Sequence, residues 1–277
     1  MDNNISTFIN LDKNTLMNKL VEFQNACKEN RVFPNCDYIH AFEFFMNNLA
    51  IKLPKDFVMY RARIFTDDTL DKVINILTQI NLAKNENDFE NVKQQQKIFE
   101  EEYKSRINNG FFGYDEKNSF INPKPSTIKA GRCNHEFEAC LYTSEDPNTA
   151  ISELKPLIKE KISVAKISAQ EELNLIDLTF SFNSDDNNFK NLLALLFLTS
   201  PTETEKDAYL FTQVICSLVK KHGYDGIKYS SCQNMLACNY AIFHYDKCKA
   251  VSSDIYTVNG ITYSCKNETN NKTQKKI

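Results

Sequence analysis

A mixed α+β fold built on one sheet-based domain is what the sequence predicts. Alternating runs at Phe57–Ile64, Ile162–Ile167 and Leu173–Leu178 read as strands, and three- and four-residue apolar spacing between and around them reads as helix. No internal repeat is visible. Apolar residues make up 42% of the 277 and charged residues 25%, the balance of a globular protein with a real core. The length allows one large domain with an appendage, or two small domains.

Taken in order, residues 12–51 read as two helices. Leu16, Leu20 and Phe23, then Ile39, Phe42, Phe45 and Leu49, recur at helical spacing, with Pro34 and Asn35 between the two sets. Residues 1–54 are therefore expected to be a helical N-terminal appendage. After the Phe57–Ile64 strand, which carries Arg61 and Arg63, helices are expected at 69–83 and 86–108, the second with a charged, solvated face. Gly110 and Gly113 bracket an aromatic turn, and Pro123 and Pro125 mark a loop of about twenty residues, a length that is usually functional or disordered; its aromatics favour function. A short strand at Leu141–Thr143 precedes a helix in DPNTAISEL, with Asn148 or Thr149 as N-cap. Helices at 187–199 and 207–222, the latter ended by Gly223, lead to strands at Gly226–Ser230, Tyr240–Tyr245 and Ala250–Val258. A polar tail occupies 259–277 and is expected to be disordered, being lysine-rich from Asn267 onward.

Charge and composition exclude several classes. A net charge of −3 gives no general attraction for nucleic acid or an acidic membrane, so an anionic ligand needs local Arg or Lys. The longest apolar run, Leu192–Leu198, is far too short to span a bilayer, and Met1–Asp12 is polar and acidic, unlike a secretory signal. Nine cysteines, an odd number, read as free thiols in a reducing cytoplasm. There is no CxxC and no HExxH. Cys133, His135 and Cys140, with Cys232 and Cys238, lack the spacing of a zinc site and read as buried thiols, so no metal is expected. No P-loop stands out, and four histidines leave little room for a hydrolase triad.

What remains is a set of segments spread over about 180 residues: YRAR at 60–63, GFFGYDEKNSF at 110–120, AGRCN at 130–134, LYTSEDPNTAISELKP at 141–156, GYDGIKYSS at 223–231 and NYAIF at 239–243. In this order they resemble the RES domain, over roughly residues 55–255. The resemblance implies a fold similar to that of ADP-ribosyltransferases, within a catalytic domain at 55–258, and an enzyme that degrades NAD. Many members are toxins of bacterial toxin–antitoxin pairs that hydrolyse or phosphorolyse NAD. Carried over, the first Arg falls on Arg61, with Arg63 as the alternative, and the second on Arg132. The Tyr falls on Tyr142, the Glu on Glu153 and the Asn on Asn239. The Ser falls on Ser231, with Ser230 adjacent and on the other strand face. Cys133 after the Gly-Arg pair and the stretch His135–Cys140 depart from the common pattern, so the wall around Arg132 is expected to differ.

The chemistry asks for such a set. Nicotinamide leaves NAD as a neutral molecule, so no acid is needed to protonate it, and the ribose passes through an oxocarbenium-like state. One fixed carboxylate stabilises that charge; Glu153 is the one that stands out. In the first turn of its expected helix, the helix N-terminus favours its ionised form by about 0.3–1 kcal/mol. Arg61 and Arg132 are expected to fork onto the pyrophosphate, Tyr142 to offer a flat face to the nicotinamide, and Ser231 and Asn239 to bind ribose or amide. Taken singly, each has an ordinary reading: a helix carboxylate, ion-pair arginines, a core tyrosine, strand-end polar residues. Their joint order favours a site. NAD is then substrate and no separate cofactor is needed. Water or inorganic phosphate is the expected acceptor, and an antitoxin is a partner by analogy with the family. Two alternatives stay open: ADP-ribosyl transfer to a macromolecule, and a catalytically silent binding module of the same fold.

Overall fold

The structure is a computed structural model that describes residues 13–31, 33–66, 69–82, 86–120, 125–181, 188–198, 209–234 and 236–262. The chain opens with helices α1 (Lys13–Glu29) and α2 (Asp37–Phe45), then a 3-10 turn at Met46–Leu49. Strands β1 (Ala50–Leu53) and β2 (Val58–Ile64) lead to helices α3 (Thr69–Leu82), α4 (Glu86–Asn108) and the short α5 (Glu116–Phe120). Strand β3 (Leu141–Ser144), helix α6 (Pro147–Glu153) and strands β4 (Lys161–Ala169) and β5 (Leu173–Leu178) follow. Helices α7 (Asn188–Leu198) and α8 (Leu210–Lys221) precede strands β6 (Gly226–Ser230), β7 (Cys238–Ile242) and β8 (Cys248–Thr257). The lysine-rich tail from Asn267 lies outside the described residues, as does Pro123.

The α+β expectation holds. Among the described residues, eight strands form one sheet, in the order β1-β5-β6-β7-β3-β2-β4-β8, and only β5 and β6 pair in parallel. The expected N-cap of α6 is corrected. Asp146, not Asn148 or Thr149, caps it: its Oδ1 accepts the Thr149 backbone N–H at 3.0 Å, and Pro147 takes the first helical position, where its fixed φ costs nothing. The long loop is corrected too. Asp115 accepts the Asn118 backbone N–H at 2.7 Å and starts α5, so the segment is not structureless. Strand β7 begins earlier than expected, where Cys238 pairs with Ser230, and ends earlier, at Ile242, after which Phe243 and His244 both donate their backbone N–H groups to the Asp225 carbonyl. The segment then turns through a 3-10 turn at Tyr245–Lys247. Gly223, at φ +78°, ends α8 in the left-handed conformation expected of it.

Two apolar clusters lie against the sheet. On one face, Leu16, Phe23, Tyr38 and Phe42 of the first two helices join α7, α8 and the sheet residues Ile176, Ile227 and Ala241 in a single core. The Phe23 and Tyr38 rings stack at 4.8 Å, and Tyr38 meets Phe189 of α7 at 5.1 Å. The helices read as an appendage thus share their core with the sheet. The other cluster gathers Met59, Leu141, Ile167 and Leu175 with Phe111. Phe42→Ala should therefore cost about 3–5 kcal/mol in global denaturant unfolding, because the ring is fully buried in that shared core. A separately unfolding appendage would instead leave the sheet's transition in place.

Asp225 ties the ends of three strands. Its carboxylate accepts the Asn174 backbone N–H at 2.8 Å and meets Lys247 Nζ and His244 Nδ1, each at 2.8 Å. Burial pushes the carboxyl up, but Lys247, the Asn174 amide and His244 together hold it below its ordinary value. A depressed carboxyl contributes stability in full above about pH 4 and loses it as pH falls through the lower folded value. Asp225→Asn should lower stability by about 1–3 kcal/mol at neutral pH and flatten the acid limb of a stability–pH series.

Candidate active site

Strands β2 and β3 pair at one position only, Tyr60 opposite Ser144. Beyond it they part. In place of a second rung, Arg61 reaches across and its Nη1 donates to the Tyr142 carbonyl at 3.3 Å. A cleft of about 430 Å³ opens here. Part of its lining is one row across four paired strands, Tyr229, Asn239, Ser144 and Tyr60, each opposite the next in register. Glu153, Arg61, Arg63, Arg132 and Tyr142 line it as well. A larger groove of about 1140 Å³ between α4 and β8 holds none of these residues; Glu101, Glu102, Asp115 and Glu116 line it.

Glu153 is the last residue of α6, not part of its first turn as the sequence predicts. Moving the cap to Asp146 puts Glu153 in the seventh helical position, where the helix dipole disfavours a negative charge. Two neutral donors supply what the helix does not. Ser231 Oγ and Asn239 Nδ2 both donate to Glu153 Oε1 at 2.6 Å. Among the described residues, Oε2 has no partner.

Ser231 and Ser230 part company as strand alternation requires. Ser231 faces Glu153, whereas Ser230 Oγ accepts the Phe180 backbone N–H at 2.9 Å. Ser231 is fully buried and does not line the cleft; its oxygen also accepts the Gln233 and Asn234 backbone N–H groups at 3.1 Å each. It holds the carboxylate rather than touching a ligand. Asn239 lines the cleft but spends its N–H on Glu153 and its Oδ1 on Ser144 Oγ, at 2.6 Å.

The segment at Gly131–Asn134 is pinned from two sides. Tyr142 Oη donates to Asn134 Oδ1 and accepts the Cys133 backbone N–H, both at 2.7 Å. Gln213 of α8 donates to the Gly131 and Asn134 carbonyls at 2.9 and 3.0 Å. A Cβ on Gly131 would lie 2.7 Å from Asn134 Oδ1 and 2.8 Å from Tyr142 Oη, so only glycine fits. Burial pushes the Tyr142 phenol well above its ordinary value, so it stays a neutral donor and acceptor.

Arg132 donates through Nη1 to the Phe197 carbonyl at the end of α7 and through Nη2 to Cys232 Sγ at 3.3 Å. A cation at a helix C-terminus is favourable. Its guanidinium lies 5.8 Å from the Tyr209 ring centroid. Arg132 thus builds the cleft wall as well as lining it. Arg61 differs: its Nε is buried without a partner. Burial, then the neighbouring Arg63, lower its guanidinium to about 10, which leaves it cationic at neutral pH. Arg63 donates to the Asn118 carbonyl at 2.6 Å and anchors α5.

The cysteines and histidine weighed against zinc spacing, and read from the sequence as buried thiols, lie apart from the cleft lining. Cys133 and Cys140 are buried thiols held well above their ordinary range by desolvation, and His135 Nε2 lies 3.3 Å from Ser217 Oγ. The eight described cysteines are free thiols. No helix among the described residues is long and apolar enough to cross a membrane.

Ser144, Tyr229 and Tyr60 also line the cleft and were not singled out from the sequence. Ser144 had a signal: it stands two residues after Tyr142 on the same strand and so shares its face. Tyr229 had the same kind of signal, standing two residues before Ser231, and strand pairing sets it beside Asn239. Tyr142→Phe should destabilise the protein by about 1–3 kcal/mol in denaturant unfolding, because the Cys133 N–H and Asn134 Oδ1 lose their shared partner. A hydroxyl that served only a ligand would leave stability unmoved.

The RES domain family matches residues 106–264, more than half of the chain. The match takes in Arg132, Tyr142, Glu153, Ser231 and Asn239; β2 with Arg61 precedes it. No curated protein matches. Among solved structures, the M. tuberculosis MbcT–MbcA toxin–antitoxin complex contains a chain with 11% identity and a TM-score of 0.32, the alignment covering 46% of this chain and 72% of that one. On the family match, the chain belongs to the RES domain family.

Proposed function

We propose that this RES-domain protein cleaves the nicotinamide–ribose bond of NAD, with water or inorganic phosphate as the acceptor of ADP-ribose. One observation carries the reading: the Glu153 carboxylate lines the cleft with Oε1 held by two neutral donors and Oε2 unpaired. A carboxylate paired to an arginine or lysine would have its field cancelled. One held by Ser231 and Asn239 keeps its full charge and is fixed in direction.

The proposed reaction balances simply. The C1′–N1 bond breaks and its electron pair goes to the nicotinamide nitrogen, which loses its formal positive charge and leaves neutral. The positive charge left on C1′ and the ring oxygen faces Glu153 Oε2. Water, or a phosphate oxygen, then adds to C1′; water releases its proton to solvent. The residues need only bind, orient and stabilise charge. Arg61 lines the same cleft and has a buried N–H without a partner among the described residues, and we assign it to the NAD diphosphate. Tyr142 and Tyr229 give aromatic surface for a base. Arg132, committed to α7 and Cys232, has a wall-forming role with less of its fork to offer. In the family's setting the protein acts as the toxin of a pair whose antitoxin covers this cleft.

Purified protein incubated with NAD, with and without phosphate, should release nicotinamide, and the second product, ADP-ribose or its 1-phosphate, identifies the acceptor. Chelator should leave the rate unchanged, because the reaction as written uses no metal. Glu153→Gln keeps the shape but removes the charge, so kcat should fall about a hundredfold or more, ~2.7 kcal/mol of barrier, with KM changed little. Near-parental turnover in this variant would sink the assignment.

A further inference from the structure

We infer that Ser144 is a positioning residue for this reaction: its hydroxyl holds the Asn239 amide with the N–H end toward Glu153. The inference rests on the role proposed for Glu153, but its geometry stands independently. Ser144 and Asn239 are register partners across β3 and β7, and both are buried, at 3% and 4% exposure. Ser144 Oγ donates to Asn239 Oδ1 at 2.6 Å, and Asn239 Nδ2 donates to Glu153 Oε1 at 2.6 Å. The three side chains form a relay with one polarity.

That polarity matters because the two ends of an asparagine amide are nearly equal in shape and opposite in hydrogen-bonding sense. A flipped amide would set Oδ1 against the carboxylate, acceptor against acceptor. A serine hydroxyl has one hydrogen, and here it is spent on Oδ1. Without it, Oδ1 becomes a buried acceptor with no donor, and the side chain gains by turning toward water in the cleft it lines. Nδ2 then leaves Glu153. The second donor to Oε1 is backed in the same way: the Gln233 and Asn234 N–H groups occupy the Ser231 lone pairs and aim its hydrogen at Glu153. Each donor to the carboxylate is thus held by a bond behind it. Ser144 supplies that bond for Asn239.

The test needs a kinetic and a structural readout. Ser144→Ala should lower kcat for nicotinamide release about tenfold, the loss of one well-placed hydrogen bond, with KM changed little. Ser144→Thr should restore most of it. On an Asn239→Ala background, Ser144→Ala should add nothing further, since the relay is already cut. Independently of turnover, the Asn239 side-chain amide in ¹⁵N-labelled protein should show a strongly shifted, hydrogen-bonded pair of resonances in the parent and in Ser144→Thr. In Ser144→Ala it should move toward the free-amide position, which decides the matter even if the threonine variant folds poorly. An unmoved amide and unchanged kcat in Ser144→Ala would overturn the inference, as would additive losses in the double variant. If the amide moves while the parent protein releases no nicotinamide from NAD, the proposed reaction fails and the hold of Ser144 on Asn239 stands.

Discussion

The gap between β2 and β3 is the constraint on which the site depends. Neighbouring strands normally satisfy each other's backbone groups along their length, and a sheet that stops doing so exposes donors and acceptors that must be met otherwise. Here pairing holds at Tyr60 and Ser144 and then fails. The Tyr142 carbonyl takes its hydrogen bond from the Arg61 side chain. One substitution of a side chain for a backbone donor does two things: it satisfies the Tyr142 carbonyl, and it holds a guanidinium in the cleft that the parting strands open. On their far sides, β3 is held by four registered pairs with β7 and β2 by seven with β4, so both walls are rigid. The opening is a property of the fold and needs no flexible loop.

Charge in the cleft is managed by neutral groups. Glu153 ends a seven-residue helix, at the end where the backbone dipole repels a carboxylate, and no cation stands in hydrogen-bonding contact with it among the described residues. Two short polar side chains from the strand-end at Ser231 and from β7 hold it. Hydrogen bonds of this kind to a charged group are roughly twice as strong as neutral ones, and they fix orientation without cancelling the charge. A salt bridge would give the stability and lose the field. The aromatic members divide similarly. Tyr142 uses its hydroxyl to brace the Gly131–Asn134 segment and leaves only its ring for the cleft, while Gln213 braces the same segment from α8.

That brace links the site to the core. Helix α8 packs in the cluster that includes α1, α2 and α7, and Phe23 meets Phe211 at 6.1 Å. Helices α1 and α2 therefore support the helix whose Thr212 and Gln213 hold the Gly131–Asn134 segment, and the helix α7 whose end receives Arg132. Removing the N-terminal helices would strip one side of α8 and loosen Arg132 and Tyr142 indirectly. The site is positioned by the packing of this core, to which Tyr229 belongs and against which Tyr142 rests.

Most elements were legible in the sequence because they follow local rules. Apolar spacing in Leu16, Leu20 and Phe23, alternation in β2, and Gly223 after α8 are short-range signals, and each lies where those signals put it. The candidate residues were legible as an ordered set of segments, and five of the six line one cleft, with Ser231 directly behind Glu153. Their duties were not legible. A shift of the α6 cap to Asp146 reversed the dipole at Glu153, and a strand pairing between residues 95 apart joined Ser144 to Asn239. Arg132 was bound to a carbonyl 65 residues away. Hydrogen-bond partners of that kind are set by register and crossing strands, which the chain acquires only on folding. Residue types and local periodicity determined what could be present here; the tertiary structure alone decided which oxygen of Glu153 is held and which is left open, because that depends on donors brought from strands distant in sequence.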